Sequence, residues 1–191
     1  MTYMYDWFGA PKDICITCPR CQKEAQFQFA SVSYVEKKQH RAFFEQHPAF
    51  ETALLYDAHA YKHKFCAIFY PALHTHPEQY LAEIPTDVRG LNWSTSWLLP
   101  KHGVVRCSFC LSKLKYQLNW PQDAYYQIEY KGQVLWAFHR DAFVSMYDYI
   151  QSKLRDRKKS GHIIYLLHIP SHFLTQRARA EIIKKMYRVL T

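Results

Sequence analysis

With 191 residues, 49% of them hydrophobic and 17% aromatic, the chain has enough apolar material for a core of its own, which excludes a disordered or fibrous class. Its formal charge of +9 is unevenly placed: residues 1–100 carry 9 Lys and Arg against 10 Asp and Glu, and residues 101–191 carry 16 against 6. Five glycines leave no phosphate-cradling loop, the first residues lack the basic segment and apolar run of a signal peptide, and no apolar run approaches the roughly 18 residues that span a bilayer.

In chain order, residues 1–14 read as an aromatic arm that docks Tyr3, Tyr5, Trp7 and Phe8 on the domain. The pair Cys18-Pro19-Arg20-Cys21 follows, and residues 25–32 alternate apolar and polar, as a half-buried strand leaving that turn would. Residues 36–46 read as a helix with Phe43 and Phe44 inward. Pro48 suits the first position of a second helix over 48–59, with Phe50, Ala53, Leu54 and Asp57 at helical spacing. Residues 65–70 form a candidate buried strand, 77–84 a short helix, and 86–98 a loop whose Trp93 and Trp97 read as anchors to the core.

Strands over 103–106 and 113–120 flank the second pair, Cys107-Ser108-Phe109-Cys110. Residues 124–130 and 133–138 predict a hairpin turning at Lys131-Gly132, and apolar residues on both faces of its strands place it centrally in a sheet. Residues 141–155 predict an amphipathic helix with Phe143, Met146, Tyr147, Ile150 and Leu154 on its buried stripe. Residues 162–169 fit a helix turn and a strand equally well. Thr175 caps a last helix whose inner face holds Ala178, Ile182, Ile183, Met186 and Leu190.

The expected compartment is the cytoplasm, where thiols stay reduced and clustered cysteines are metal ligands in preference to disulfides. Cys18, Cys21, Cys107 and Cys110 can offer one Zn²⁺ four thiolates, a closed structural set with no position left for water. Cys15 makes an overlapping pair with Cys18; the proline inside Cys18/Cys21 and the strand after it favour the latter. These knuckles and their flanking strands resemble those of zinc-ribbon proteins. The resemblance implies a metal-binding architecture whose members commonly bind nucleic acids or proteins. The expected fold is α+β, a single domain over 1–191. A zinc-ribbon-like antiparallel sheet carries a mostly helical insert over 22–106 and a basic helical region over 139–191. Chelation is expected to unfold it.

The best functional surface is the basic C-terminus. Arg155, Arg157, Lys158 and Lys159 in a loop, with Arg177, Arg179, Lys184, Lys185 and Arg188 on the last helix, can track phosphates. The expected partner is DNA or RNA, or an acidic protein surface. Asp123, Glu129 and Lys131 echo the acidic-plus-lysine set of metal-dependent nucleases, but their spacing opposes convergence. His59 with His63, and His74 with His76, are weaker second-metal candidates. Asp141 suits the positive end of a helix.

Overall fold

The computed structural model describes residues 11, 13–57, 61–84, 102–154, 166 and 169–191. The arm over 1–10, His59, the loop over 86–98, the basic loop over 155–161 and most of 162–168 lie outside the described residues.

The class is α+β with antiparallel sheets. β1 (Asp13–Thr17), β2 (Glu24–Phe29), β6 (His102–Arg106) and β7 (Lys113–Gln117) make a four-stranded sheet in the order β1-β2-β6-β7. Each cysteine pair sits in the turn of one hairpin of that sheet, between β1 and β2 or between β6 and β7. β1 was not expected as a strand; its first two residues, Asp13 and Ile14, fall in the arm expected over 1–14. Its pattern is strand-like, with Ile14 and Ile16 buried and Asp13, Cys15 and Thr17 on the other side. Ile14, Ile16, Phe27, Phe29 and Val105 build the core under the sheet.

The strand read over 25–32 is two strands in two sheets. β2 ends at Phe29, Ala30 donates its N–H to the His102 carbonyl at 2.9 Å, and β3 (Ser31–Tyr34) begins a second sheet. Phe29 and Ala30 are buried in succession, a break in the period-two pattern where the chain changes sheet.

The insert is not mostly helical. Its centre is the sheet β3-β5-β4, with β4 at Phe50–Asp57 and β5 at Lys62–Phe69. α1 (Lys38–Gln46) and α2 (Pro77–Glu83) accompany it. The helix expected over 48–59 is therefore corrected to a strand. Its helical spacing came from Leu54, which is 67% exposed. The actual period is two, with Ala53 and Leu55 against one core and Phe50 in another. The second half of β5 is buried on both faces, Cys66 and Ile68 on one side and Ala67 and Phe69 on the other, as the apolar run over 65–69 requires.

β8 (Gln127–Tyr130) and β9 (Gln133–Trp136) form the expected hairpin, with Lys131 and Gly132 at φ 51° and 74°. It is a two-stranded sheet by itself rather than the centre of a larger one. Both faces are apolar because each meets a different layer. Ile128, Tyr130 and Leu135 pack with α3 (Arg140–Gln151) and α4 (Gln176–Leu190), and Val134, Trp136 and Phe138 pack under the knuckle sheet.

α3 ends at Gln151, four residues short of the expected limit. Leu154 lies beyond it and is 87% exposed, while Tyr149 is buried in the stripe with Phe143, Met146 and Ile150. Thr175 caps α4 as expected, its hydroxyl accepting from the Ala178 N–H at 3.3 Å. Ala178, Ile182 and Met186 are buried there, and Ile183 and Leu190 are half-buried.

Candidate metal centre

The two cysteine turns are built alike. Cys18 donates its N–H to the Lys23 carbonyl at 2.7 Å, and Cys107 donates to the Ser112 carbonyl at 3.0 Å. The residue after the second cysteine of each pair, Gln22 or Leu111, takes the left-handed conformation at φ 60° or 55°. Each loop thus folds back on its first cysteine and aims two sulfurs over the end of its hairpin. The β2–β6 register, Gln26 opposite Arg106 and Phe29 opposite Gly103, then brings the two loops together.

The four Sγ atoms lie within 4.8 Å of one another, with Cys18 3.7 Å from Cys110 and Cys21 3.5 Å from Cys107. Metal–sulfur bonds of about 2.3 Å in a tetrahedron put sulfurs about 3.8 Å apart, so the set fits one four-coordinate metal ion. It does not fit disulfides, whose sulfurs stand about 2.05 Å apart. Cys18 and Cys107 are buried, Cys21 is half-buried and Cys110 faces solvent, so the site lies at the rim of the core.

The electrostatics favour thiolate on part of the set. Burial alone would raise the Cys18 thiol, but the Cys21 and Arg20 N–H groups and the Ser112 hydroxyl bring it down to about 6. The Ser112 hydroxyl and N–H also lower Cys110. At Cys21 the Lys23 N–H favours ionisation, yet burial and the three neighbouring sulfurs prevail and push it up to about 12. Negative charge on one sulfur suppresses ionisation of its neighbours until a cation shares that charge. Ser112 was missed from sequence; its hydroxyl stands 3.1 Å from Cys110 Sγ and 3.8 Å from Cys18 Sγ, an outer contact that orients both. Its signal was the polar residue two places after Cys110.

Cys15 is not a ligand of this cluster. It lies on β1, turned towards the core of the hairpin and helices, with its sulfur 3.9 Å from His139 Nδ1. Burial and the Glu24 carboxylate push its thiol up to about 12.

The other candidates are dispersed. The Asp123 carboxylate accepts the Asn119 N–H at 2.6 Å, Lys131 lies over the Tyr130 ring, and no carboxylate metal cluster forms among the described residues. His63 packs edge-on against Tyr56, His74 stacks on Phe69, and His76 meets Glu78 at 3.2 Å. Burial, with Lys113 and Lys115 adding to it, lowers the His74 pKa. Asp141 lies in the first turn of α3, where the helix dipole favours it.

Of the basic candidates, Arg155, Arg157, Lys158 and Lys159 lie outside the described residues. On α4, Arg177, Lys184 and Arg188 are exposed and share one stripe, since spacings of seven and four return to the same face. Lys185 instead pairs with Glu181 at 3.0 Å and donates to the Glu129 carbonyl at 2.8 Å. Arg179 is half-buried, with its Nε enclosed and lacking a hydrogen-bond partner. A second surface, unforeseen from sequence, is the tip of the second knuckle, where Phe109 is 66% and Leu111 84% exposed beside Arg106 and Lys113. Among the described residues no helix is long and apolar enough to cross a membrane. In comparisons with known proteins, no family model, no curated sequence and no solved structure matches this chain.

Proposed function

We propose that this chain is a non-enzymatic, zinc-stabilised nucleic-acid-binding protein of a reducing compartment, with Zn²⁺ held by Cys18, Cys21, Cys107 and Cys110 in a zinc-ribbon-like arrangement. Four soft thiolates at tetrahedral spacing suit Zn²⁺, and a set with all four positions filled by protein holds the fold rather than activating water. The observation that carries the nucleic-acid reading is the α4 stripe. Arg177, Lys184 and Arg188 point outward along about 16 Å of helix, while Lys185 of the same helix is held by Glu181 and the Glu129 carbonyl.

Titration against duplex DNA and RNA across salt concentrations tests it. Three phosphate contacts predict a log–log slope near −2.7 on duplex DNA. Arg177→Ala/Lys184→Ala/Arg188→Ala flattens that slope, and absence of binding at low salt refutes the reading.

One observation favours a second reading. Phe109 and Leu111, held outward on a metal-braced turn, suit an apolar pocket of a protein partner in a larger complex. A metal-dependent nuclease remains third; cleavage with Mg²⁺ or Mn²⁺ that Glu129→Ala abolishes would reverse the order.

A further inference from the structure

The insert carries a second concentration of charge, remote in sequence from α4. β3 pairs with β5 over residues 66–69, and the Val35 N–H donates to the Phe65 carbonyl at 2.8 Å. Residues 62–64 of β5 therefore extend past the end of β3. There they border a groove of about 410 Å³ whose other wall includes Arg41 of α1. That volume falls within the roughly 300–1,000 Å³ of ligand sites.

Arg41, Lys62 and Lys64 line the groove against one carboxylate, Glu36, among its described lining residues. Two of the cations are seated on rings. The Arg41 guanidinium lies 5.1 Å over Phe65 and donates to the Val35 and Glu36 carbonyls, both at 3.4 Å. The Lys64 ammonium lies 4.7 Å over Tyr34. These contacts fix positive charge in place before any ligand arrives. Beside them, the β4–β5 hairpin exposes Tyr56 and Tyr61, the latter 83% accessible.

We infer that this groove binds single-stranded nucleic acid, with Arg41, Lys62 and Lys64 on its phosphates and Tyr56 and Tyr61 stacking on its bases. The inference rests on the nucleic-acid reading above and adds a site and a substrate class to it. Tyr56 lies opposite His63, on the side of β5 where Arg41 covers Phe65. Tyr61 precedes Lys62 at the turn, and Lys62 and Lys64 leave β5 on its other side, at the edge beyond β3. Rings this close to the cations match a strand whose bases are free to stack, whereas a duplex keeps its base faces covered. An acidic peptide would use the cations but leave the two tyrosines without a role. Lysines that merely guard a sheet edge from pairing need no ring beneath them and no groove.

The test uses fluorescence anisotropy with the zinc-loaded full chain. The probes are a labelled oligo-dT of about 12 nucleotides, within the 4–16 nucleotide range of known single-strand sites, and a duplex of equal length. Lys62→Ala/Lys64→Ala is expected to weaken strand binding tenfold or more and reduce the salt slope by about 1.4, at roughly 0.7 per contact. Tyr56→Ala/Tyr61→Ala is expected to weaken it roughly tenfold with the slope unchanged, because stacking releases no counterions. Duplex binding stays as in the wild type in both, and metal content and melting temperature show that each variant is folded.

If both groove variants bind the strand like the wild type while the α4 variant loses the duplex, the groove assignment fails and the α4 reading stands. If the wild type binds neither probe at low salt, the nucleic-acid reading itself fails. Displacement of oligo-dT by a glutamate-rich peptide, or by thymidine monophosphate as well as by the strand, also overturns the assignment.

Discussion

On β4, the Glu51 carboxylate accepts from the Tyr70 hydroxyl at 2.8 Å and pairs with the Lys115 ammonium of β7, which lies 4.8 Å over the Tyr70 ring. One side chain thereby links the insert sheet to the knuckle sheet. Burial raises the Glu51 pKa, but the Lys115 and Tyr70 bonds outweigh it and hold the carboxyl below its ordinary 4.5. Burial and the same carboxylate hold the Tyr70 hydroxyl well above its ordinary value. A depressed folded pKa contributes stability that is complete above the unfolded value and is lost as pH falls through the folded one. Glu51→Gln should therefore be less stable than the wild type at pH 7, by under about 1 kcal/mol because the pair is half exposed. The gap should close progressively below the ordinary carboxylate value. Paired urea titrations at each pH check this, since acid loosens the cysteine site equally in both proteins.

At the scale of elements, Gly103 on β6 shows why the two hairpins of the knuckle sheet fit together. A Cβ there would run into the Phe27 ring and the Gln28 carbonyl on the neighbouring β2. Gly103→Ala should destabilise the metal-loaded protein by about 1–3 kcal/mol, seen as a lower urea midpoint, because the opposing backbone has no free side to move into. Thr175→Ala removes the α4 cap and should cost about 0.5–2 kcal/mol in the same measurement. Cap, hairpin turn and the strands after Cys21 and on either side of the second cysteine pair were legible in sequence because each depends on a few adjacent residues. β4 was not, because an exposed Leu54 completed a helical spacing and the decisive force was pairing with β5 along eight residues. The role of Gly103 was equally hidden, since the ring it accommodates is 76 positions away.

At the scale of the molecule, the buried residues among those described divide into four clusters, one of which contains Cys18 and Cys107. The C-terminal cluster joins the β8–β9 hairpin, α3 and α4 through Tyr126, Phe143, Met146, Ile150, Phe173 and Ile182 without any metal ligand. Structural zinc contributes on the order of 10–16 kcal/mol in small fingers that have no other core. Here chelation should open β1, β2, β6 and β7 first and leave α3 and α4 protected, a more local effect than complete unfolding. Hydrogen exchange with and without chelator measures this, and uniform loss of protection would contradict it. The Tyr126 hydroxyl bond to Glu24 at 2.9 Å, the Cys15 N–H bond to the Phe138 carbonyl at 2.7 Å and the Tyr125 N–H bond to the Cys15 carbonyl at 3.3 Å are polar ties across which the two regions would separate.

The cysteine pairs that opened the question were determined by sequence alone. Spacing within each pair, a proline inside the first, a strand after it and strands on either side of the second are local features, and a four-thiolate site follows from their chemistry. Ligand choice between Cys15 and Cys21 was decided by tertiary structure, because the alternation of β1 turns Cys15 away from the sulfurs that the knuckle loops converge. The same holds for the cations. Sequence marked the C-terminal third as basic, but only the packing of α4 on Tyr130 and Glu129 separated Lys185, held by the fold, from Arg177, Lys184 and Arg188, which face outward. Arg41, Lys62 and Lys64 carry no local signature of a site at all. They become one when β3 ends short of them and α1 closes the other side of the groove.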